Sequence, residues 1–302
     1  MSLLVVGSVA LDTVETPFDK AEDALGGSAT FISVAASYFT EPVHLVGVVG
    51  EDFADEHIEM LKNHKIDLEG LEIIKGRPTF RWSGKYRDDF NTRDTISTNL
   101  NVFENFDPNI PEKALSDKFV ILGNIQPSLQ MKVLEQMKNP EFVVLDTMNL
   151  WIKHTKDDLL KVLPKIKVLI INDSEAKELS EVTNLIKAAK IIMAMGPEYL
   201  IIKKGEHGAL LFGEGKIFSA PAFPIETLFD PTGAGDTFLG GFTAYLHKKG
   251  KVDFNEMKKA VIYGSVMASF CCEKFSTKGI EYLKPETIEK RYAEFKELSQ
   301  FD

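Results

Sequence analysis

The segment EFVVLDTMNLWIKHTKDDLLKVLPKIKVLIIN, residues 141–172, decides how the chain folds. Its ends, EFVVLD (141–146) and KVLIIN (167–172), are apolar at consecutive positions rather than alternate ones. A strand with one wet face alternates, whereas a strand apolar throughout is covered on both faces. A helical pattern over 156–163 joins the two. Strand, helix and strand in this order form the crossover unit of a parallel sheet.

The same rhythm runs outward in both directions. LLVVGSV (3–9), VHLVGVVG (43–50) and KFVILG (118–123) lie upstream, and EYLIIKKG (198–205) lies downstream. Helical patterns occupy 28–39, 52–64, 128–138, 174–180 and 184–195, and the tail, 253–298, reads as two or more helices. The expected fold is α/β and doubly wound, a mostly parallel central sheet with helices on both faces. Residues 71–105 break the rhythm. LEIIKG, TFRWSGKYRD and DTISTNLNVF carry turns and no helix, and read as a short antiparallel sheet inserted into the body. Residues 12–25 are a second irregular piece expected to join it. The expectation is one domain, 1–302, with 12–25 and 71–105 forming a small β-sheet lid that excludes water from a cleft.

With 302 residues, 44% hydrophobic and 26% charged, the chain has an ordinary globular composition. A formal net charge of −10 argues against a nucleic-acid partner, which requires a basic face. The opening MSLLVVGSVALD lacks a basic flank and is too short in its apolar run for a signal peptide or a membrane span. Adjacent Cys271 and Cys272 can build neither a disulfide framework nor a zinc site, and fit a reducing, cytoplasmic setting.

Late in the chain stands FDPTGAGDTFLGGF (229–242). Glycines before a helix let backbone N–H groups approach a ligand, and the helix start favours an anion. It is not a P-loop, which needs GxxxxGK[ST], and not a dinucleotide fingerprint, because Phe238 stands where the third glycine belongs. A carboxylate beside a phosphate site costs repulsion, so Asp236 needs a chemical reason. A general base supplies one: it takes the proton from a hydroxyl attacking a γ-phosphate. The alternative is an acidic first-turn residue suiting the helix dipole.

DPTGAGDTFLGGF closely resembles the C-terminal signature of the ribokinase-like (PfkB) carbohydrate kinases, and the resemblance extends over essentially the whole chain. It implies transfer of the ATP γ-phosphate to a primary alcohol of a small sugar or sugar-like acceptor. Asp236 would be the catalytic base, with Gly233, Ala234 and Gly235 as the anion hole. Asp12, after the first strand, resembles the family residue that binds substrate hydroxyls. LGGSATF (25–31) resembles the N-terminal signature, with Gly26 and Gly27 making room for the sugar. Many sugar kinases of the family carry Asn four residues after the second glycine; here it is Phe31, which disfavours ribose and fructose and leaves a nucleoside or an unusual polyol open. NDSE (172–175) resembles the motif in which Asn172 and Glu175 hold Mg²⁺, through water, and the phosphates; the same pattern is also a capping box.

KKGEHG (203–208) partly resembles the nucleotide loop, with Gly205 and Gly208 approaching the nucleotide and Lys204 touching phosphate; a hairpin turn is the other reading. His207 reads as a surface residue. Asp230 and Thr232 match positions for a monovalent cation such as K⁺, with 268–279 supplying carbonyls. Asn124 and Asn149 follow strands where α/β ligands collect. Lid residues Arg77, Arg81, Trp82 and Lys85 are candidates for an anionic substrate, and family lids pair into homodimers. A nucleoside kinase, or a non-catalytic nucleotide- or sugar-binding sensor, is the alternative.

Overall fold

The computed structural model describes residues 2–90 and 92–300. In chain order the elements are β1 (Leu3–Val6), β2 (Ala10–Glu15), β3 (Lys20–Gly26), α1 (Ser28–Ser37), β4 (Val43–Gly50), α2 (Asp55–Asn63), β5 (Ile66–Ile74), β6 (Phe80–Tyr86) and β7 (Arg93–Asn99). Next come β8 (Phe119–Leu122), α3 (Pro127–Gln136), β9 (Phe142–Asp146), α4 (Asn149–His154), α5 (Lys156–Val162), β10 (Val168–Asn172), α6 (Asp173–Ser180) and α7 (Leu185–Met193). The last third holds β11 (Tyr199–Lys203), β12 (Ala209–Gly213), β13 (Lys216–Ala220), α8 (Ala234–Lys249), α9 (Phe254–Cys271) and α10 (Pro285–Ser299).

One sheet runs β13-β12-β11-β10-β9-β8-β1-β4-β5, parallel except for its β12 and β13 end. Its buried side chains divide by strand parity, as the period of two requires. Leu3, Val5, Val144, Ile170 and Ile201 join one core with α1, α8 and α9. Leu4, Val6, Leu145, Leu169 and Ile202 join a second on the opposite face. Both faces are covered, which is why these strands read as continuous apolar runs. Between α1 and α8 the helices meet without a side chain between them: a β-carbon on Gly240 would lie 2.3 Å from the Ile32 carbonyl oxygen.

A second sheet, β3-β2-β6-β7, stands apart from the first. Three expectations for this region are corrected. Leu71–Ile74, assigned above to the inserted sheet, is the end of β5 and pairs parallel with β4. Gly70 permits that approach, since a β-carbon there would sit 2.6 Å from the Val46 side chain. The small sheet is not wholly antiparallel, because β2 and β6, from separate stretches of chain, run parallel. Residues 101–105 form a 3₁₀ turn whose Phe103 stacks on Phe80, rather than a strand. The irregular piece 12–25 is most of the β2–β3 hairpin, which begins at Ala10. Among the described residues no helix is long and apolar enough to cross a membrane.

Candidate active site

Three parallel strands end side by side on polar residues: β9 on Asp146, β10 on Asn172 and β11 on Lys203. The carboxyl edge of a parallel sheet is where α/β proteins gather ligands. Lys203 Nζ lies 3.5 Å from Asp146 Oδ1. Burial alone would lower the pKa of this lysine, but Asp146, Glu175 and Asp236 together raise it, so it stays charged among three carboxyl groups.

Gly233 caps α8 with φ 77°, in the left-handed region that favours glycine. A β-carbon there would also strike the Phe31 ring at 2.5 Å. Phe31 is buried at the base of the loop, so it supports the glycine turn from below. Asp236 follows in the first turn of α8. Its Oδ1 is buried and has no hydrogen-bond partner among the described residues. Burial first, then repulsion from Asp146, push the Asp236 carboxyl up to about 7, against the pull of Lys203 and Arg93.

Asp12 lies on the lid strand β2, and Gly26 on its neighbour β3 makes room for it: a β-carbon on Gly26 would overlap the Asp12 carboxylate at 2.0 Å. Gly27, at φ 89°, caps α1, and its backbone hydrogen-bonds Asp12. Burial, reinforced by Asp230 and Asp236, pushes Asp12 up to about 7. Asn172 and Glu175 form a complete capping box at α6: Asn172 accepts from Glu175 N at 2.8 Å, and Glu175 accepts from Asn172 N at 2.8 Å. The box fixes a buried carboxylate, itself pushed up to about 7 by burial and by Asp146, at the rim of the cluster.

Asp230 is buried and accepts from Thr232 N at 2.8 Å and Ser276 N at 3.4 Å. Phe229 N donates to the Cys272 carbonyl at 2.9 Å, so the tail segment does come against this loop. A cavity of about 10 Å³ lies between Asp12, Phe31, Asp230, Thr232 and Ser276.

Other expected residues stand elsewhere. Lys203, not Lys204, reaches the cluster. Parity along β11 explains it: Lys203 shares the face of Tyr199 and Ile201, which pack in the core that contains α8, and Lys204 does not. Gly208 has a structural task, since a β-carbon there would sit 2.0 Å from the Ala220 carbonyl oxygen; Gly205 is exposed at φ 54°. Asn124 accepts from Trp151 Nε1 at 2.8 Å, and Asn149 donates to Glu178, so both amides have protein partners. In the lid, Arg81 bridges Asp23 and Asp52, Lys85 pairs with Glu15, and Arg77 donates to the Asn101 carbonyl. Asp146, Lys203, Tyr86 and Arg93 carry no role in the sequence reading. Two surface hollows of about 710 and 770 Å³ share Glu56 and Glu281, and the first of them reaches Leu25, Phe229 and Ser276 beside the Asp230 loop.

Residues 3–281 match the pfkB family carbohydrate kinases, and the chain belongs to that family of phosphotransferases with alcohol acceptors. A cytidine kinase of Thermococcus kodakarensis is 29% identical over 248 residues, 81% of this chain and 88% of that protein. The nucleoside kinase of Burkholderia thailandensis in complex with inosine shares the fold with a TM-score of 0.79 at 19% identity, covering 97% of this chain and 96% of that one. The ribokinase of Cryptococcus neoformans in complex with ADP has a TM-score of 0.78 at 20% identity, covering 96% and 99%.

Proposed function

We propose that this kinase transfers the γ-phosphoryl group of ATP to the primary alcohol of a small sugar-bearing acceptor, with nucleosides the first class to test and free sugars the second. One observation carries the reading: Asp236 Oδ1 is buried, lacks a hydrogen-bond partner among the described residues and stands where a glycine loop becomes a helix. A buried acceptor atom without a donor is costly unless a ligand supplies one. The acceptor hydroxyl is such a donor.

In this reading Asp236 takes the hydroxyl proton as the oxygen attacks the γ-phosphorus, and the bond to the β–γ bridging oxygen breaks to release ADP. The N–H groups of Gly233, Ala234 and Gly235 hold the charge that builds on the phosphoryl oxygens. Asp12 accepts from neighbouring hydroxyls of the acceptor. Lys203 takes the phosphate role expected of Lys204, and Gly205 flanks the nucleotide.

Glu175 suits Mg²⁺ held through water, because magnesium keeps several waters and takes few protein carboxylates. Magnesium, when bound with ATP, neutralises phosphate charge. Asp230 and Thr232 with the 268–279 segment are the candidate K⁺ ligands. The nucleoside class is supported by the cytidine kinase relative. A homodimer through the lid, where Phe18 and Ile96 are exposed, and a cytoplasmic location complete the reading.

The test is transfer of labelled phosphate from MgATP to cytidine, inosine, ribose and a polyol panel. Asp236→Asn should lower turnover about 10²–10⁴-fold with the fold intact. Unchanged turnover removes Asp236 as the base.

A further inference from the structure

Gln130 is fully buried on α3, on the apolar stripe it forms with Pro127 and Val133. A polar side chain in such a place needs partners. Its Nε2 donates to two carbonyl oxygens, that of Gly123 at 2.9 Å and that of Asp146 at 3.0 Å. Both carbonyls lie one residue beyond the last rung between β8 and β9, which pairs Leu122 with Leu145. The amide therefore adds a rung where the two strands stop pairing. The reverse placement of the amide would set Oε1 against two other oxygens, so the chemistry fixes its orientation. Oε1 is left buried with no hydrogen-bond partner among the described residues. That orphan atom carries a cost, which marks the two donors as what the position requires.

The grip on Asp146 reaches its side chain. The Asp146 carbonyl and the Thr147 N–H belong to one planar peptide and point to opposite edges of it. Burial pushes the Asp146 carboxyl up, and Lys203 and that N–H pull it back down. Turning the peptide plane would carry the N–H away from the carboxylate, whose Oδ1 lies 3.5 Å from Lys203 Nζ. On its other flank Asp146 is paired with Ile170 of β10, so Gln130 restrains the side that the sheet leaves free.

We propose that Gln130 is a positioning residue for phosphoryl transfer: by clasping the ends of β8 and β9 it holds the Asp146 carboxylate against Lys203, and so keeps the Lys203 ammonium from collapsing onto Asp236. Lys203 feels Asp146, Glu175 and Asp236 together, so a lysine released by the first turns to the others. An ammonium seated on Asp236 would neutralise the base that must accept the hydroxyl proton. This inference rests on the kinase reading above.

The test compares wild type, Gln130→Met, Gln130→Glu, Asp146→Asn and the double variant Gln130→Met with Asp146→Asn. Each is assayed for transfer from MgATP to cytidine, inosine and ribose, with thermal melts alongside. Gln130→Met keeps the length of the side chain and removes both donors. Its turnover should fall about 10–100-fold, the scale of one charge-assisted hydrogen bond, with the acceptor KM little changed. Asp236 is faced by Asp146 from β9, Lys203 from β11, Arg93 from β7, Asp12 from β2 and Cys271 from α9. Retreat of Asp146 and approach of Lys203 both favour the ionised base, so the rise of kcat/KM with pH should move to lower pH. The double variant should match Asp146→Asn alone to within about twofold, because both changes break one link. In Gln130→Glu only a protonated carboxyl can donate, and to one carbonyl, so its turnover relative to wild type should fall as pH rises. Val133→Ala, one turn further along α3, should also melt lower but keep wild-type turnover and pH profile.

Gln130→Met with wild-type turnover and pH profile, at whatever melting temperature, overturns the inference. So does a double variant slower than Asp146→Asn by the whole factor of Gln130→Met, or a Val133→Ala that moves the pH profile as far. If Gln130→Met does not fold, Gln130→Glu decides, and a ratio to wild type that stays level with pH overturns the inference. A wild type that melts alike with and without MgADP, and phosphorylates no acceptor, overturns the kinase reading and this inference with it.

Discussion

The Lys203 ammonium lies 2.8 Å from the point where a β-carbon on Gly235 would project. The last glycine of the loop therefore keeps open the place of the cation that joins Asp146, Glu175 and Asp236. The tip of a lysine can swing aside, so Gly235→Ala should fold normally. What it displaces is the charge at the centre of the cluster. Turnover should fall about 10–100-fold, the equivalent of one charge-assisted hydrogen bond, with the melting temperature nearly unchanged. Steady-state kinetics beside a thermal melt would check both halves.

Gly233→Ala should behave in the opposite way. Its φ of 77° disfavours any side chain, and the obstacle is the Phe31 ring at 2.5 Å rather than a flexible tip. A cost of about 2–4 kcal/mol combines the left-handed penalty with overpacking. Phe31→Ala alone should cost about 3–5 kcal/mol as a buried aromatic truncation. The double variant should cost less than the sum, because the lost ring removes the clash. Urea unfolding of the three proteins measures the coupling.

With Asp236 pushed up to about 7, the free enzyme holds its base protonated in mild acid. kcat/KM for the acceptor should therefore rise with pH through a limb near 7. Lys203 pulls this carboxyl down, so Lys203→Met should move the limb to higher pH. A limb that stays in place in that variant would dissociate the lysine from the base.

Stability should show the reverse slope. Asp12, Glu175 and Asp236 are all raised to about 7, above their ordinary values of 3.8–4.5. Between those limits the folded protein binds more protons than the unfolded one, so stability is greatest below about 4 and is lost as pH rises through 7. Asp253, held down at about 2 by Lys251, acts oppositely but only in stronger acid. The ligand-free melting temperature should drop between pH 5 and pH 8, and Asp236→Asn should melt a few degrees above wild type at pH 8. A lower melting temperature for that variant would show the ionised carboxylate to be structural.

Tyr86→Phe removes the hydroxyl that joins the lid to Thr232. One such hydrogen bond contributes about 1 kcal/mol, which is roughly fivefold in an opening equilibrium. Hydrogen exchange in β6 and β7 should quicken by that factor, while β1, β8 and β9 exchange as before.

Much of this was visible in the residues. Apolar runs such as EFVVLD and KVLIIN announce strands covered on both faces, and the glycine–aspartate run announces itself by composition. Residues whose meaning depends on a distant partner were not visible. Leu71–Ile74 belongs to an edge strand, half exposed, and its alternation resembles that of an inserted hairpin; only its pairing with β4 places it in the main sheet. Lys203 and Lys204 are chemically alike, and strand parity separates them. Arg93 gains its position from the β6–β7 register, which shifts between Ser83 and Gly84, and no local pattern encodes that shift.

The seating of Gly240 on the Ile32 carbonyl has a consequence for how such a protein can change over time. It welds the helix that begins behind Gly26 and Gly27 to the helix that begins behind Gly233 and Gly235. The backbone that receives the acceptor and the backbone that receives the phosphoryl group are thus inherited as one casting. The β6–β7 hairpin comes from another stretch of chain and meets this casting through Tyr86 on Thr232, whereas the β2–β3 hairpin runs straight into it through Gly26 and Gly27. New acceptors can be met by reshaping the β6–β7 hairpin while the machinery of transfer stays as it was.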